Sequence, residues 1–159
     1  MSELQRVGEA RAGLVVMKFG GTSLENAKAI LRTAEIVQGR RARGLQAIVV
    51  VSAMAKVTDQ LLAAAVAAGR GGKKGALMIA ARLRNRHTET TSDMLCGELF
   101  TEVETAIRRG FDLLDDLLRG IAAVGELTPR TRDNVVSFGE RLSSRMVAGA
   151  FAQHGLNGG

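Results

Sequence analysis

Two short apolar runs near the N-terminus, with one helical segment between them, constrain the fold more than any other feature. Residues 14–19 (LVVMKF) are flanked by glycines, and residues 46–53 (QAIVVVSA) contain four consecutive β-branched side chains. Uninterrupted apolar strands are typical of parallel sheets that are buried on both faces. Residues 24–43 between them place apolar side chains at the spacing of one helical face. The order predicts a right-handed βαβ unit.

Capping signals define this first helix. Ser23 is a candidate N-cap, and Glu25 places a carboxylate in the first turn, near the positive end of the helix dipole. Gly44 is suited to the left-handed residue that follows a helix.

Every pattern after the second strand is helical. The spacing predicts helices over residues 56–68, 76–85, 93–119 and from Pro129 onward, with a glycine- and lysine-rich surface loop at 69–75. Thr128 and Pro129 are typical of an N-cap and the first helical position. The third of these helices carries one apolar stripe, made of Val103, Ile107, Phe111, Leu114 and Leu118. Such a stripe is more often core than a docking face.

Two parallel strands do not complete an α/β layer, because open sheets have about four to six strands and unpaired edges expose ladder groups. The 159 residues would suffice for one domain. We therefore expect the chain to stop before its fold is finished.

Composition excludes several classes of protein. With 46% hydrophobic and 24% charged residues, the chain has the balance of a soluble globular domain and not of a disordered one. No apolar run approaches the roughly 20 residues that span a bilayer, and the N-terminus lacks the form of a signal peptide. We expect a cytoplasmic protein without a membrane partner. Cys96, the single cysteine, excludes an internal disulfide and is expected to be buried.

The turn after the first run is a candidate anion site. Lys18, Gly20, Gly21 and Ser23 join a strand to a helix N-terminus, where free N–H groups and the helix dipole favour phosphate. The alternative is a tight turn in which Ser23 only caps the helix. The spacing leaves both interpretations open, and no Walker A or Rossmann pattern is present.

Three segments resemble aspartokinases, within the amino-acid kinase superfamily: VMKFGGTS at 16–23, VVVSAMAKVTDQLL at 49–62 and GELTPRTRDNVVSFGERLSS at 125–144. The resemblance implies an α/β fold of the carbamate-kinase-like three-layer type. It further implies a tail at residues 1–13, followed at 14–159 by the N-terminal, amino-acid-binding part of the catalytic domain. The nucleotide-binding half and the regulatory ACT domains of the family are not in this sequence.

The resemblance also implies an activity, in which ATP with Mg²⁺ phosphorylates the β-carboxylate of L-aspartate to give 4-phospho-L-aspartate. This is the first step toward lysine, threonine and methionine. The resemblance assigns Lys18, Gly20, Gly21 and Ser23 to the ATP phosphates, with Lys18 as the catalytic cation. No residue of this chain is assigned to the metal.

The remaining assignments concern aspartate. Ser52 and Thr58 correspond to residues that line the aspartate pocket, and Glu140 corresponds to the acidic residue that contacts the substrate ammonium group. From spacing alone, Thr58 is the start of a helix and Glu140 is a solvated charge.

Because the fold is expected to be incomplete, several interpretations of the chain's role stay open. The chain is a truncated product or assembly fragment that is inactive alone, one half of a split kinase, or a non-catalytic partner; an unfinished sheet also favours self-association. A fourth interpretation is a nucleic-acid-binding module, suggested by the net charge of +6 and by basic clusters at 40–43, 70–74 and 82–86. Almost no aromatic residues accompany these clusters, and we expect no nucleic-acid partner.

Overall fold

The two apolar runs pair in parallel. The computed structural model describes residues 13–156, in which β1 (Leu14–Phe19) and β2 (Gln46–Val51) lie side by side with Leu14 opposite Gln46. α1 (Ala27–Arg41) connects them. The predicted tail lies outside the described residues except for Gly13, whose carbonyl accepts a hydrogen bond from Gln46 N at 2.9 Å.

The start of α1 differs from the prediction. Residues Gly21–Leu24 form a 3₁₀ turn, in which Ser23 N donates to Gly20 O at 3.0 Å. The N-cap is Asn26, whose Oδ1 accepts from Ala29 N at 2.9 Å, so Ser23 does not cap α1 and Glu25 precedes it. Gly44 adopts a left-handed conformation, with φ of +76°. The 3₁₀ turn occupies the residues that were expected to begin the helix, so α1 begins later, at Ala27.

Four further helices follow: α2 (Val57–Gly69), α3 (Lys73–Ser92), α4 (Gly97–Val124) and α5 (Pro129–Gln153). The predicted loop at 69–75 is shorter than expected, because Gly71 takes a φ of +78° and reverses the chain within residues 70–72. α3 therefore extends beyond the predicted 76–85 at both ends. α4 begins at Gly97 and not at residue 93, because Met94 N and Leu95 N still donate to Thr91 O of the preceding helix.

The start of α5 is confirmed. Thr128 is the N-cap, its Oγ1 accepts from Thr131 N at 3.2 Å, and Pro129 takes the first helical position. At the other end, Gly155 adopts a φ of +71° and Leu156 N donates to Phe151 O at 2.8 Å, which closes the helix.

The core lies among the helices. α4 packs against α2, α3 and α5, and its apolar stripe is buried as core: Val103, Ile107, Phe111, Leu114 and Leu118. This burial removes the observation that suggested a docking face for a non-catalytic partner. Cys96 is exposed and not buried, because it lies at the surface junction just before α4. None of the helices in residues 13–156 is both long enough and apolar enough to cross a membrane.

The sheet is covered on one face only, which contradicts the expectation that both faces are buried. Alternate residues of the two strands pack on the helices, while the opposite face exposes Leu14, Val16, Ile48 and Val50. Nothing in residues 13–156 covers that face, so the described fold is one sheet layer with helices on one side. The structure is thus α/β, helix-rich and incomplete, as predicted.

One buried histidine makes the stability of this core depend on pH. His87 of α3 is fully buried, with Nδ1 2.7 Å from Leu83 O and its ring edge-on to Phe111. Among the described residues, Nε2 has no hydrogen-bond partner. Burial, together with the nearby Arg86 charge, lowers the pKa of His87 from 6.5 to about 4, although the bond to Leu83 raises it.

The free energy of unfolding should therefore fall on acidification. Because the unfolded chain takes up the proton near pH 6.5 and the folded chain only near pH 4, stability is complete above 6.5 and lost as the pH falls through that window. We expect a loss of about 2 kcal/mol between pH 7 and pH 5. Urea unfolding at both pH values measures it, with His87→Met as the control that cannot titrate. An equal pH dependence in both proteins would contradict this account.

Candidate functional site

Three segments of the chain meet where the two parallel strands end. β1 leads into Gly20, and β2 leads into Ser52, whose N–H donates to Phe19 O at 3.1 Å. The carboxyl ends of adjacent parallel strands share one edge of a sheet, which is where ligands bind in open α/β folds. We call the two connections the glycine turn (residues 20–25) and the β2–α2 loop (residues 52–56).

The glycine turn packs directly on the β2–α2 loop. A Cβ added to Gly21 would lie 3.1 Å from Ala53 O and 3.3 Å from Ala55 Cα, so a side chain there would require the backbone of the loop to shift. Gly20 has more room, because a Cβ there would meet only Lys18 Nζ, at 3.9 Å. The same distance places the ammonium group of the exposed Lys18 beside the turn. The close approach at Gly21 is thus between two protein segments.

The β2–α2 loop carries an unusual backbone conformation. Lys56 is the only non-glycine residue in the described part of the chain with positive φ, at 65°, and it immediately precedes α2. Such strain at a non-glycine residue is commonly stored in functional loops. Thr58 is the second residue of α2, as its spacing predicts, and is exposed, whereas Ser52 is half-buried.

α5 supplies the third segment. Gly139 packs against the β2–α2 loop so closely that a Cβ would lie 2.7 Å from Ala53 Cβ. The buried Ser143 hydroxyl donates to Ser52 O at 2.6 Å and lies 3.2 Å from Glu140 O. These contacts bring Glu140 and Ser52, which are far apart in the sequence, to one place.

Glu140 is half-buried and forms no ion pair within residues 13–156. Its neighbour Arg141 lies instead over the Phe138 ring, 4.8 Å from the centroid, while Asp133 pairs with Arg132. The carboxylate is therefore not neutralised by an adjacent cation. A half-buried, unpaired carboxylate suits a cationic ligand group.

The glycine turn contacts the β2–α2 loop, and that loop contacts α5. Five of the seven candidate residues lie in these segments, whereas Lys18 lies in β1 and Thr58 in α2. Sequence reasoning missed Ser143 and Gly139 as parts of this site, although both lie in the SFGERLSS segment; their only signal was their position one or three residues from Glu140. A groove of about 980 Å³ lies elsewhere, between α4 and α5, and includes none of the seven. No group of three or more His, Cys, Asp or Glu side chains able to hold a metal ion occurs in the described ranges.

The chain belongs to the amino acid kinase family, whose sequence pattern matches residues 13–159. Within that family its relatives are aspartokinases. It is 36% identical to aspartokinase 3, chloroplastic, of Arabidopsis thaliana over 84% of this chain and 23% of the relative. It is 35% identical to an aspartokinase of Chlamydia trachomatis, over 84% of this chain and 26% of the relative.

A solved structure supports the same family assignment. The crystal structure of E. coli aspartokinase III in complex with aspartate and ADP superposes with a TM-score of 0.73 at 26% identity. The match covers 90% of this chain and 29% of that one. The chain spans about a quarter of the length of the curated relatives it matches.

Proposed function

We propose that this chain supplies the aspartate- and phosphate-contacting residues of an aspartate kinase, which transfers the γ-phosphoryl group of ATP to the β-carboxylate of L-aspartate. The observation that carries the proposal is a run of contacts at the carboxyl edge of the sheet, where the glycine turn packs on the β2–α2 loop and that loop packs on α5. The solved relative that shares this fold was crystallised with aspartate and ADP.

Each segment has a chemical role in this proposal. The exposed Lys18 ammonium beside Gly20 offsets negative charge on the transferring phosphoryl group. The N–H groups of Gly20 and Gly21 and the hydroxyl of Ser23 bind phosphate oxygens, since Ser23 N is already bonded to Gly20 O. An aspartate carboxylate is already ionised at neutral pH, so the acceptor needs no general base. Catalysis then rests on positioning and on cationic stabilisation.

On the aspartate side, Glu140 accepts hydrogen bonds from the substrate ammonium group, which its half-buried and unpaired carboxylate suits. Ser52 and Thr58 supply hydroxyl groups that donate to the substrate carboxylates. Ser143 links Ser52 to the turn of α5 that carries Glu140, through its hydrogen bond to Ser52 O. The pocket therefore has a cation-binding and an anion-binding side.

The described residues suit the phosphate groups of ATP better than they suit Mg²⁺. The glycine turn and Lys18 suit phosphate groups, whereas the described residues offer no cluster of metal ligands. When bound with ATP, Mg²⁺ neutralises phosphate charge. We propose that groups outside residues 13–156 hold Mg²⁺ and the adenosine.

We propose further that the 159-residue chain is inactive alone. Within residues 13–156 the sheet has two strands and an apolar face that no described segment covers, which is the reason we expect the chain to need a further segment for turnover. The test is aspartate-dependent release of ADP from MgATP, measured for the purified chain and for a chimera in which residues 13–159 replace the matching segment of the Chlamydia trachomatis aspartokinase. We expect turnover from the chimera only. Turnover by the isolated chain that Lys18→Ala abolishes would contradict inactivity alone, and a folded chimera without turnover would contradict the kinase role.

Glu140→Ala in this chimera should raise the KM for aspartate about 10- to 100-fold, because a charge-assisted contact to the ammonium group is lost. The KM for ATP should change little. Glu89→Ala, which removes an exposed carboxylate from α3, is the matched control. A Glu140→Ala chimera with the parent KM would remove this residue from the site.

A nucleic-acid-binding role is less well supported by the same structure. Two arginines of the basic cluster at 82–86 are already engaged: Arg84 pairs with Asp112 and Asp115, and Arg86 binds two backbone carbonyls. A split kinase, in which a second chain completes the sheet, has the same site and differs only in what covers the exposed face.

A further inference from the structure

One side chain outside the three segments touches two of them. Arg86 of α3 donates from Nη1 to Ala55 O at 2.8 Å and from Nη2 to Glu25 O at 2.9 Å. Ala55 belongs to the β2–α2 loop, and Glu25 ends the glycine turn. A single guanidinium group thus bridges the segment assigned to phosphate and the segment assigned to aspartate.

The two carbonyls lie at points where the backbone needs support. Ala55 immediately precedes Lys56, the residue with left-handed φ, and Glu25 lies between the 3₁₀ turn and the N-cap of α1. Neither carbonyl belongs to a regular helix or strand. A planar guanidinium can donate to two acceptors at once with fixed geometry, which an ammonium group on a flexible stem cannot do.

α3 holds this guanidinium firmly. On one side of Arg86 in the sequence, Arg84 forms ion pairs with Asp112 and Asp115 of α4, at 2.9 and 3.0 Å. On the other side, His87 is buried against Phe111 of α4. The bridge is therefore anchored in the helical core and not on another loop.

We propose that Arg86 is a positioning residue, which fixes the glycine turn and the β2–α2 loop relative to each other so that the phosphate and aspartate groups are held in register. What the two segments bind rests on the proposed function; the bridge between them does not. Loss of Arg86 should loosen both segments together, while the helical core stays folded.

Amide hydrogen exchange on the full 159-residue chain tests the bridge. In Arg86→Met we expect amides of residues 21–25 and 53–58 to exchange about 10- to 100-fold faster, while α4 amides keep their protection. Arg86→Lys should recover part of the protection, because it restores one donor. Arg82→Met removes an exposed arginine from the same helix and is expected to leave both segments unchanged. Unchanged exchange in Arg86→Met, or faster exchange in only one segment, would overturn the proposal.

The chimera supplies the functional readout. Arg86→Met should lower its kcat about 10-fold or more with an unchanged melting temperature, and millimolar guanidinium should restore part of the loss. An unchanged kcat, or a fall in kcat that follows a fall in melting temperature, would overturn the positioning role. A parent chimera without turnover would instead refute the proposed function, and the exchange result would still decide whether the bridge exists.

Discussion

Lys18→Ala is expected to lower the kcat of the chimera about 10²- to 10³-fold, the size of effect seen when one transition-state donor is removed. The side chain is exposed at the end of β1, with Nζ near Gly20, so it is free to reach a phosphate group. Because its charge acts on the transferring group, the KM for aspartate should change much less than kcat. Steady-state ADP release at saturating MgATP measures both constants.

The matched control for this prediction is Lys74→Ala, which removes an exposed lysine near the start of α3. It should leave kcat unchanged. If Lys18→Ala and Lys74→Ala have equal and small effects, Lys18 has no catalytic role and the phosphate assignment of the glycine turn is wrong.

Gly21→Ala should damage the protein through its backbone. The added methyl group would lie 3.1 Å from Ala53 O and 3.3 Å from Ala55 Cα, and backbone atoms cannot rotate away as a side chain can. We expect a loss of about 1–3 kcal/mol in the free energy of unfolding, as for other overpacked sites. Urea unfolding of the 159-residue chain measures it. In the chimera, the displaced loops should also raise both KM values.

The neighbouring glycine provides the control. A methyl group on Gly20 would meet only the mobile end of Lys18, at 3.9 Å, and the backbone there has an ordinary φ of −82°. Gly20→Ala should therefore leave stability within about 0.5 kcal/mol of the parent. Equal losses in both variants would show that the contact at Gly21 does not constrain the turn.

The two strands were predicted in part from the sequence. The limits of β1, the start of β2 and the parallel pairing could be predicted, because β-branched runs and flanking glycines are local signals. The end of β2 was wrong, since the strand stops at Val51 and not at residue 53. The burial of both faces could not, since burial depends on what covers the sheet. The exposed Leu14, Val16, Ile48 and Val50 follow from the absence of a second covering layer in residues 13–156.

The candidate site also contains features that the sequence predicts and features that it does not. The segment motifs predicted Lys18, Ser52 and Glu140 as site residues, and these assignments stay predictions. Gly21 was predicted as part of an anion site, which stays a prediction, whereas its packing against Ala53 and Ala55 carried no local signal. Arg86 carried no local signal, because its two acceptors are 31 and 61 residues away in the sequence.

We propose that the glycine turn, the β2–α2 loop and α5 form one ligand site. Hydrogen exchange of the chimera with aspartate and MgADP tests it most directly, because the method maps protection without relying on turnover. We expect the ligands to protect residues 18–25, 52–58 and 137–144 together. Protection of the α4–α5 groove with no change in those three segments would contradict the account.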